Sequence, residues 1–563
     1  MTNFNDAAQW PAISSDGKFV AFLRGPGDGF GSSVDHGEIW FKPLPDGDAI
    51  QLTNTKQRKI TLAFSPDNTR IFFTQVGEAF TWNTYEIPLF GVQESKLFVS
   101  NATGLSWIDR DHLLFSSIKT GVHMALETSS TSRTDQRDIY VPADQVQGMV
   151  HRSALSPDRK WVLAVEMDVG WWERCRLIPF DGSNTGKLVG PEGECTSAAW
   201  SPDGKWMYFT VNTGNVGSHI WRQRFPDGMP QQLTPAAVSE EEGLVVMPDG
   251  KSLITAAGTE ESQIWLHDDN FGDKQITSEG YSSLPAFSPD GSRAYYLRRG
   301  GGRHGQFSGE LWESDVETGS TQPLFPGLLV THFALSTDGK KIVFATAQSK
   351  EPSGIWIAGL DGTQPPHQLT FGGEYRAFFG RTGEILYQSK EDPPHLMRMD
   401  EHGKEQRRVI DMNIMGLDSV APDTSWAVVA TTPTGSHGDK NNVAYAVPLN
   451  GGEPFAVCER CSYGFGSARI GAPLVLWSMD GKWLYVGTRY FGEGRTGKTV
   501  AIPLQGGALP SALRSIRDKS SLLKAPGVRL IPQAEVFPLG GPNRYLFVRA
   551  SAKTNLFRIY LSQ

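Results

Sequence analysis

Short runs of alternating apolar and polar residues follow one another along the whole chain, separated by turns rich in Gly, Pro, Asp and Asn. The segment from Ala198 to Thr234 is a clear example. Its predicted strands are Ala198–Trp200, Lys205–Val211, His219–Gln223 and an outer strand that carries Gln232-Leu233-Thr234. Aromatic and β-branched residues with a period of two, bounded by turn residues, predict four antiparallel strands joined by tight turns.

The turn between the first two strands comes back roughly every 45 residues, the period of a repeat architecture. Its clearest copies are Ser201-Pro202-Asp203-Gly204 and Ser288-Pro289-Asp290-Gly291. Weaker copies begin at Ser14, Ser65, Ser156, Met247, Ser336, Ala421 and Ser478, and units near Asp109, Thr382 and Gly540 keep only the flanking strands. A unit of this length cannot bury a core alone and must stack on its neighbours. The sequence therefore predicts an all-β fold, a β-propeller with about twelve four-stranded blades.

Two six-bladed rings are favoured, because a single ring usually holds about four to eight blades. The predicted domains are residues 1–269 and 270–563, and one twelve-bladed ring is the alternative. The segment Met1–Asn5 resembles an outer strand, whereas the last unit, ending at Leu561, stops after its third strand. We therefore expect the first residues to complete the sixth blade, and the chain to pass to the second ring near residues 268–272.

An aliphatic residue followed by Trp marks the third strand of several units. The copies are Ile39-Trp40, Ile220-Trp221, Ile264-Trp265, Leu311-Trp312 and Ile355-Trp356. Aromatic side chains of this size dominate core burial. The recurring Trp residues are therefore predicted to pack between blades and not to bind ligands.

Composition narrows the classes of function. The formal net charge is −8 and the pI about 5.9, with no basic stripe, which argues against nucleic-acid binding. No apolar run approaches the length of a membrane span, and no leader resembling a signal peptide precedes the first unit. Direct membrane insertion by this chain is therefore not expected. Because the chain begins on a blade strand, we expect it to be a segment of a longer protein.

The four cysteines leave three alternatives open. Cys175 and Cys195 fall in adjacent units, and Cys458 and Cys461 form a single CxxC in a loop. One CxxC without a second pair or nearby His pair is a weak zinc signal, and a redox reading needs a βαβ context. A local disulfide is favoured over free thiols and over metal or redox chemistry.

Two glycine-rich matches to nucleotide motifs lack the required context. Residues Gly492–Thr499 fit the P-loop pattern, but the next residues, Val500–Leu504, form a β-rich run with a Pro instead of a helix. Gly300, Gly302 and Gly305 spell GxGxxG between two strands, without a βαβ unit. Both are predicted to be hairpin loops, and no cofactor is expected.

Catalytic motifs are missing from the sequence. It contains neither the GxSxG of α/β-hydrolases nor HExxH, so no catalytic and no metal-binding residue is assigned. The histidines are scattered singly. His123, His151, His219 and His332 could converge from different blades, but an ordinary place in a strand or loop is favoured for each.

The units around residues 123–172 depart most from the repeat. The third unit is Ser/Thr-rich, carries Arg133 and Arg137, and lacks the Ser-Pro-Asp-Gly turn; the fourth carries His151-Arg152 and Trp171-Trp172. Departures from a repeat occur where function overrides local rules, although simple decay of the repeat is the alternative. The predicted ligand-binding residues are Arg133, Arg137, His151, Arg152, Trp171 and Trp172.

Three longer stretches carry a resemblance to a known family. They are Met149–Asp158, Cys195–Gly204 and His219–Gly228. With the repeats, they make the chain similar to TolB-type (PD40) propellers, and more closely to the C-terminal propeller region of acidobacterial eukaryotic-like serine/threonine kinases. The resemblance implies a sensor or interaction module tethered to a kinase, often across a membrane. It implies no catalysis here, because the chain lacks the kinase HRD and DFG motifs.

The expected function is therefore a non-catalytic sensor or interaction module that binds a peptide, glycan or protein partner. In a parent protein, the module would be covalently linked to a kinase domain and lie in the periplasm or outside the cytoplasm. The alternative is a propeller enzyme, a lyase or hydrolase with a metal or His/carboxylate site in the central channel. A structural scaffold without a small ligand is a third reading.

Overall fold

A computed structural model describes most of the chain. The described residues are 1–26, 37–55, 57–77, 81–91, 94–120, 123–143, 148–168, 171–213, 217–235, 239–299, 308–348, 351–362, 364–381, 383–391, 393–431, 443–457, 475–487, 498–504, 509, 516 and 518–561. Nearly all regular structure among them is β-strand. In this part of the chain, no helix is long and apolar enough to cross a membrane.

The strands follow each other at short intervals. Up to residue 268 they are β1 (Ala7–Ile13), β2 (Phe19–Gly25), β3 (Glu38–Pro43), β4 (Ile50–Gln51), β5 (Lys59–Phe64), β6 (Arg70–Val76), β7 (Trp82–Pro88), β8 (Lys96–Val99), β9 (Thr103–Trp107), β10 (His112–Thr120), β11 (His123–Ser130), β12 (Arg137–Tyr140), β13 (Met149–Leu155), β14 (Trp161–Asp168), β15 (Trp171–Trp172), β16 (Arg176–Pro179), β17 (Lys187–Leu188), β18 (Glu194–Trp200), β19 (Trp206–Asn212), β20 (Ser218–Arg224), β21 (Gln231–Gln232), β22 (Ser239–Val246) and β23 (Ser252–Asp268).

The remaining elements include one short helix among the strands. They are β24 (Gly272–Gln275), β25 (Tyr281–Phe287), β26 (Arg293–Arg299), β27 (Glu310–Asp315), β28 (Thr321–Pro323), β29 (Val330–Leu335), β30 (Lys341–Gln348), β31 (Glu351–Gly359), β32 (His367–Gln368), β33 (Tyr375–Phe379), β34 (Glu384–Gln388), β35 (His395–Asp400), β36 (Arg407–Asn413), β37 (Gly416–Val420), β38 (Trp426–Thr431), β39 (Val443–Pro448), β40 (Phe455–Ala456), β41 (Val475–Trp477), β42 (Trp483–Gly487), β43 (Thr499–Pro503), α1 (Lys519–Leu523), β44 (Arg529–Ile531), β45 (Val536–Pro538) and β46 (Arg544–Tyr560).

These strands form antiparallel blades, in each of which the chain runs from an inner strand outward. Blades 1 to 5 are β1–β4, β5–β8, β9–β12, β13–β17 and β18–β21, and blades 7 to 11 are β25–β28, β29–β32, β33–β36, β37–β40 and β41–β44. Blade 6 combines β22 with the first part of β23 and the last part of β46. Blade 12 combines β45 with the first part of β46, the last part of β23, and β24.

The chain separates into two compact units. The first holds the described residues of Met1–Glu260 and Ala550–Gln563, and the second those from Glu261 to Arg549. The chain thus passes to the second unit inside β23 and returns inside β46. The predicted domains, 1–269 and 270–563, are two consecutive stretches of the sequence, and this division stays a prediction.

Hydrophobic clusters between consecutive blades close each unit into a ring. Val20 and Phe22 of blade 1 pack with Ile254 and Leu556 of blade 6, and similar clusters join each of the other neighbours from blade 1 to blade 6. In the second unit, a cluster joins blade 12 to blade 7, and others join each neighbour between. The predicted propeller fold is confirmed, with six blades in each ring; we call these the first ring and the second ring.

The Ser-Pro-Asp-Gly turn has a physical explanation. The Ser201 hydroxyl donates to Asp203 Oδ1 at 2.6 Å, and the Gly204 amide donates to the Ser201 carbonyl at 2.9 Å with φ at +70°. The serine hydroxyl donates in the same way in the turns that begin at Ser14, Ser65, Ser156, Ser288, Ser336 and Ser478. This hydrogen bond stabilises the carboxylate, and it lowers the pKa of Asp203 and brings that of Asp290 to about 2.

The outer strand is fastened by the Gln-Leu-Thr motif. The Thr234 hydroxyl accepts a hydrogen bond from the Ile220 amide at 3.0 Å, and Gln232 Nε2 donates to the Thr234 carbonyl at 2.7 Å. The same pair of bonds is made by the equivalent residues at Thr53, Thr277 and Thr370. The motif therefore repeats because it satisfies the backbone amide of the third strand.

The first residues of the chain complete blade 6, as predicted. The Asn555 side chain accepts from the Phe4 amide at 2.7 Å and from the Thr2 hydroxyl at 2.9 Å, and the Leu556 amide donates to Thr2 Oγ1 at 2.8 Å. These bonds fix the N-terminal segment beside the outer edge of β46. The recurring third-strand tryptophans also lie where expected, packed against the inter-blade clusters.

Of the loop predictions, only some fall on described residues. Cys175 and Cys195 form a disulfide, whereas Cys458 and Cys461 lie outside the described residues. So do the GxGxxG glycines and residues 492–497 of the P-loop-like motif. The β-rich run predicted after that motif is strand β43.

Candidate functional site

Inner strands of the first ring carry a β-bulge near the end at which the chain enters the blade. The pairing register shifts between Gln9 and Ala12 in β1, and similar shifts occur in β5, β13, β18 and β22. The residues left out of the ladder include Trp10, Thr61, His151 and Thr196. A bulge re-aims a side chain, and bulges are frequent beside functional sites. Trp10 and Thr61 accordingly have positive φ, at 58° and 50°.

Arg152, which follows the bulge of β13, reaches to two other blades. Its guanidinium carbon lies 3.8 Å from the ring centroid of Trp10 in blade 1 and 5.2 Å from that of Trp172 in its own blade. Its Nη1 donates a hydrogen bond to the Thr196 carbonyl of blade 5. Because blades 1 and 4 are opposite in a six-bladed ring, the stack with Trp10 crosses the central channel.

His151 lies between two aromatic rings. Its centroid is 5.4 Å from that of Trp82, in blade 2, and 5.0 Å from that of Trp172. Within the described part of the chain, its buried Nε2 atom has no hydrogen-bond partner. Burial, with the positive charges of Arg152 and Arg58, lowers the pKa of His151 to about 3. The imidazole is therefore neutral at physiological pH.

We call Trp10, Trp82, His151, Arg152 and Trp172 the aromatic–cation cluster. Trp10 is buried, and the other four side chains are half-buried, so part of their surface is exposed. The cluster lies at the side of the ring opposite the Ser-Pro-Asp-Gly turns. His151 is near the start of β13, whereas the turn follows the end of β13. Trp172 is in β15, which lies in the connection from the second strand of the blade to the third, at the same side as the start of β13.

The disulfide adjoins this cluster. Cys175 follows Trp172 by three residues, and Cys195 precedes Thr196, whose carbonyl accepts the bond from Arg152. The Cys195 amide also donates to the Glu173 carbonyl at 3.0 Å. Both cysteines are buried in the cluster of apolar side chains between blades 4 and 5. The disulfide therefore joins the two blades beside Trp172 and Arg152.

Of the six predicted ligand-binding residues, the structure brings His151, Arg152 and Trp172 together. Arg133 instead lies 3.7 Å from Glu127 and stacks on Phe115 at 4.9 Å. Arg137 is exposed and donates to the Asp181 carbonyl at 2.9 Å. Among the described contacts, none joins either arginine to the cluster. The backbone of Trp171 pairs with Asp168, and its side chain lies outside the described residues.

The other candidate histidines lie elsewhere in the two rings. His123 is buried, with Nδ1 2.9 Å from the Gly148 carbonyl. His219 is buried in β20, and His332 lies in the second ring, 4.8 Å from Phe378 between ring centroids. Within the described ranges, no group of three or more His, Cys, Asp or Glu side chains could hold a metal ion.

The second ring has similar bulges with different side chains. Register shifts occur beside Arg376 in β33 and Asp418 in β37. Arg376 Nη1 lies 3.3 Å from Asp418 Oδ1 and donates to the Leu417 carbonyl at 3.2 Å, and both charged side chains are fully buried. Burial and the charge of Arg376 hold the pKa of His332, on the neighbouring blade, well below its usual value.

Comparisons with known proteins found similarity at the level of solved structures. No family model and no curated protein sequence matches the chain. TolB from Acinetobacter baumannii is 14% identical, with 55% of this chain and 64% of that chain covered and a TM-score of 0.32. A putative TolB from Agrobacterium tumefaciens is 17% identical, covering 49% and 84%, with a TM-score of 0.30. The tricorn protease is 12% identical, covering 90% and 58%, with a TM-score of 0.31. The alignment thus covers less than two thirds of the first TolB chain, and the propeller assignment rests on this chain's own blade order and packing.

Proposed function

We propose that this chain is a non-catalytic sensor or interaction module whose first ring binds a peptide, glycan or protein partner at the aromatic–cation cluster. The observation that carries the proposal is the stacking of Arg152 on Trp10 and Trp172, which gathers side chains of separate blades at one end of the channel. Trp and Arg are the residues most enriched among those that dominate binding energy at interfaces. The half-buried Trp82 and Trp172 leave ring surface for a ligand.

The chemistry of the cluster favours binding over catalysis. A general acid or base works best when its pKa lies near the operating pH, whereas the pKa of His151 is lowered to about 3. The Nε2 atom of this neutral imidazole can donate or accept one hydrogen bond. We therefore assign His151 to ligand recognition.

We further propose that the module belongs to a longer receptor-like protein and works outside the cytoplasm. The stretches that carry the resemblance to kinase-linked propellers include the strands with His151, Arg152 and Thr196. A disulfide is typical of oxidising compartments, and Cys175–Cys195 lies beside the proposed site. Both features agree with an extracytoplasmic sensor region.

A thermal-shift screen against peptides, oligosaccharides, cell-wall fragments and divalent metals tests the proposal. A ligand at a hundred times its Kd adds about 2.7 kcal/mol of stability. We expect an organic ligand to raise Tm in the wild type and to lose this effect in Trp172→Ala. The matched control is Trp206→Ala in blade 5, because Trp206 is also half-buried and also carries an arginine, with Arg222 at 4.7 Å.

Two outcomes would contradict the proposal. If Trp206→Ala and Trp172→Ala reduce the ligand effect equally, the cluster is not the binding site. A stabilising metal in place of an organic ligand would favour the alternative, a propeller lyase or hydrolase with a His/carboxylate site.

A further inference from the structure

Three polar side chains of the first ring share one position in their blades. Gln9 and Thr196 each lie five residues before the first residue of the turn that follows the inner strand. Thr103 lies five residues before Ile108, the corresponding residue of blade 3, whose amide donates to the His112 carbonyl at 2.9 Å. The three belong to the inner strands of blades 1, 5 and 3, so they lie at one level around the channel, in alternate blades. We call Gln9, Thr103 and Thr196 the polar belt.

Contacts of Arg152 show that the members of the polar belt are close in space. Its guanidinium stacks on Trp10 at 3.8 Å and donates to the Thr196 carbonyl. A Cβ atom added to Gly104 would lie 3.1 Å from the Arg152 Cα atom. Trp10 and Gly104 each follow a member of the belt directly in sequence. The inner strands of blades 1, 3 and 5 therefore meet around one residue of blade 4.

The polar atoms of the belt need hydrogen-bond partners. All three side chains are fully buried, and within the described part of the chain Gln9 Oε1 and Nε2 and the two threonine hydroxyls have no hydrogen-bond partner. At the same position of blade 8, the Thr331 hydroxyl donates to the Ala345 carbonyl at 3.2 Å. Buried polar groups of folded proteins are almost always bonded, either to the protein or to an enclosed molecule. The polar belt thus points to a partner that is not part of the protein.

The unpartnered atoms also set the chemistry of that partner. The Gln9 amide offers both a donor and an acceptor, and a threonine hydroxyl can act as either. All of these groups are uncharged, and burying a full charge among neutral groups costs far more than burying a polar molecule. The molecule that fits them is small and uncharged, with O–H groups that both donate and accept. Water and a small polyol share this chemistry.

We infer that the polar belt encloses a small uncharged hydroxyl-bearing molecule, which bonds to the inner strands of blades 1, 3 and 5. This site goes beyond the proposed function, because it needs no partner on the faces of Trp82 and Trp172. The enclosed molecule stabilises the centre of the first ring, next to the residues that form the aromatic–cation cluster.

Removing one hydroxyl at a time tests this inference in the full chain. Thr196→Val and Thr103→Val keep the shape of the side chain and remove its O–H group. If the hydroxyl is bonded to the enclosed molecule, we expect Tm to fall by a few degrees. If the hydroxyl is unpaired, replacing it by a methyl group removes an unsatisfied buried group, and Tm should stay the same or rise. The matched control is Thr331→Val in the second ring, whose hydroxyl has a bond to lose.

Native mass spectrometry of the full chain distinguishes the two sources. A bound mass that the folded protein carries and the denatured protein loses identifies a polyol. Destabilised valine variants without such a mass identify water. A high-resolution crystal structure gives a check that does not depend on the variants, since ordered density should lie within hydrogen-bond distance of the Gln9 amide and both hydroxyls.

The inference would be overturned by valine variants at least as stable as the wild type, or by a polar belt without such density. Neither result touches the proposed function. Conversely, a cluster that binds nothing in a Trp172-dependent way would reject the proposed function and leave the enclosed molecule in place.

Discussion

Both rings contain a bulge in inner strands, but the arginine at the bulge contacts different groups in each ring. In the first ring, Arg152 stacks on the buried Trp10 and on Trp172, and Arg152 and Trp172 are half-buried. In the second ring, Arg376 is fully buried and meets the carboxylate of Asp418. The difference shows how one position of the repeat can hold an arginine either among aromatic rings or beside a carboxylate.

The largest effect should come from breaking the buried pair of the second ring. Arg376→Met removes the cation beside the buried Asp418 carboxylate, and breaking a buried ion pair from one side costs about 3–5 kcal/mol. We expect this loss in denaturant unfolding, with faster hydrogen exchange in β33 and β37. The double variant Arg376→Met/Asp418→Leu should recover most of the stability, because it removes both charges. A loss no larger than that of Arg152→Gln would remove the contrast between the rings.

Removing the disulfide should have the next largest effect, confined to the first ring. The two cysteines are 20 residues apart, and a loop of this length contributes about 3 kcal/mol through the unfolded state. Cys175→Ser/Cys195→Ser should therefore lower Tm and increase hydrogen exchange in β16 and β18. Exchange in the second ring is the control. Equal loss of protection in both rings would show that the disulfide does not act locally.

Removing the stacked cation of the first ring should cost little stability. Arg152→Gln loses stacking interactions worth about 0.5–2 kcal/mol and the hydrogen bond to the Thr196 carbonyl. Its main effect should be on ligand binding at the aromatic–cation cluster, measured by the thermal-shift screen above. A stability loss as large as that of Arg376→Met, without an effect on binding, would make Arg152 structural as well.

The smallest effect at neutral pH concerns His151 and His332, whose pKa values are both lowered. An unfolded imidazole binds a proton below a pH of about 6.5, whereas folded His151, with its pKa near 3, does not. Protons then favour the unfolded state, so stability falls as the pH drops from about 6.5 toward 3. His151→Gln should reduce this fall, seen as a smaller difference in Tm between pH 7 and pH 4.

His332 allows the same comparison in the second ring. Its pKa is also lowered, so His332→Gln should act with the same sign. Opposite signs for the two variants would show that one of the imidazoles binds a proton in the folded protein.

The fold could be predicted in detail because its motifs are local. The bonds of the turn at Ser201 and of the outer strand at Thr234 join residues close in sequence, so each unit carries its own signature. The closure of two rings could also be predicted from the sequence, because the first residues resemble a missing outer strand. The chain passes between the rings inside β23, before the predicted residues 268–272. The sequence gives no signal for this position, because one long strand has the same alternating pattern as two ordinary strands.

The candidate site could be predicted only in part. His151, Arg152 and Trp172 lie in one irregular unit, which brought them to notice, but Trp10 and Trp82 come from distant blades. A contact across a channel leaves no periodic pattern. The sequence held one signal for the bulge in β1: Pro11 follows Trp10 at a position where the inner strand would otherwise continue. Arg133 was selected for the irregularity of its unit, yet its contacts are with Glu127 and Phe115.

The passage of β23 and β46 between the rings sets an order for synthesis on the ribosome. Blade 6 needs Leu556, whose side chain packs against Ile254, and this residue emerges only after the entire second ring. At translation rates of about 5–20 residues per second, the first ring waits on the order of tens of seconds for its closing strand. During that time, the edge of β23 that pairs with β46 is unpaired and open to chaperones. The first ring is thus the first to be synthesised in part and the last to be completed.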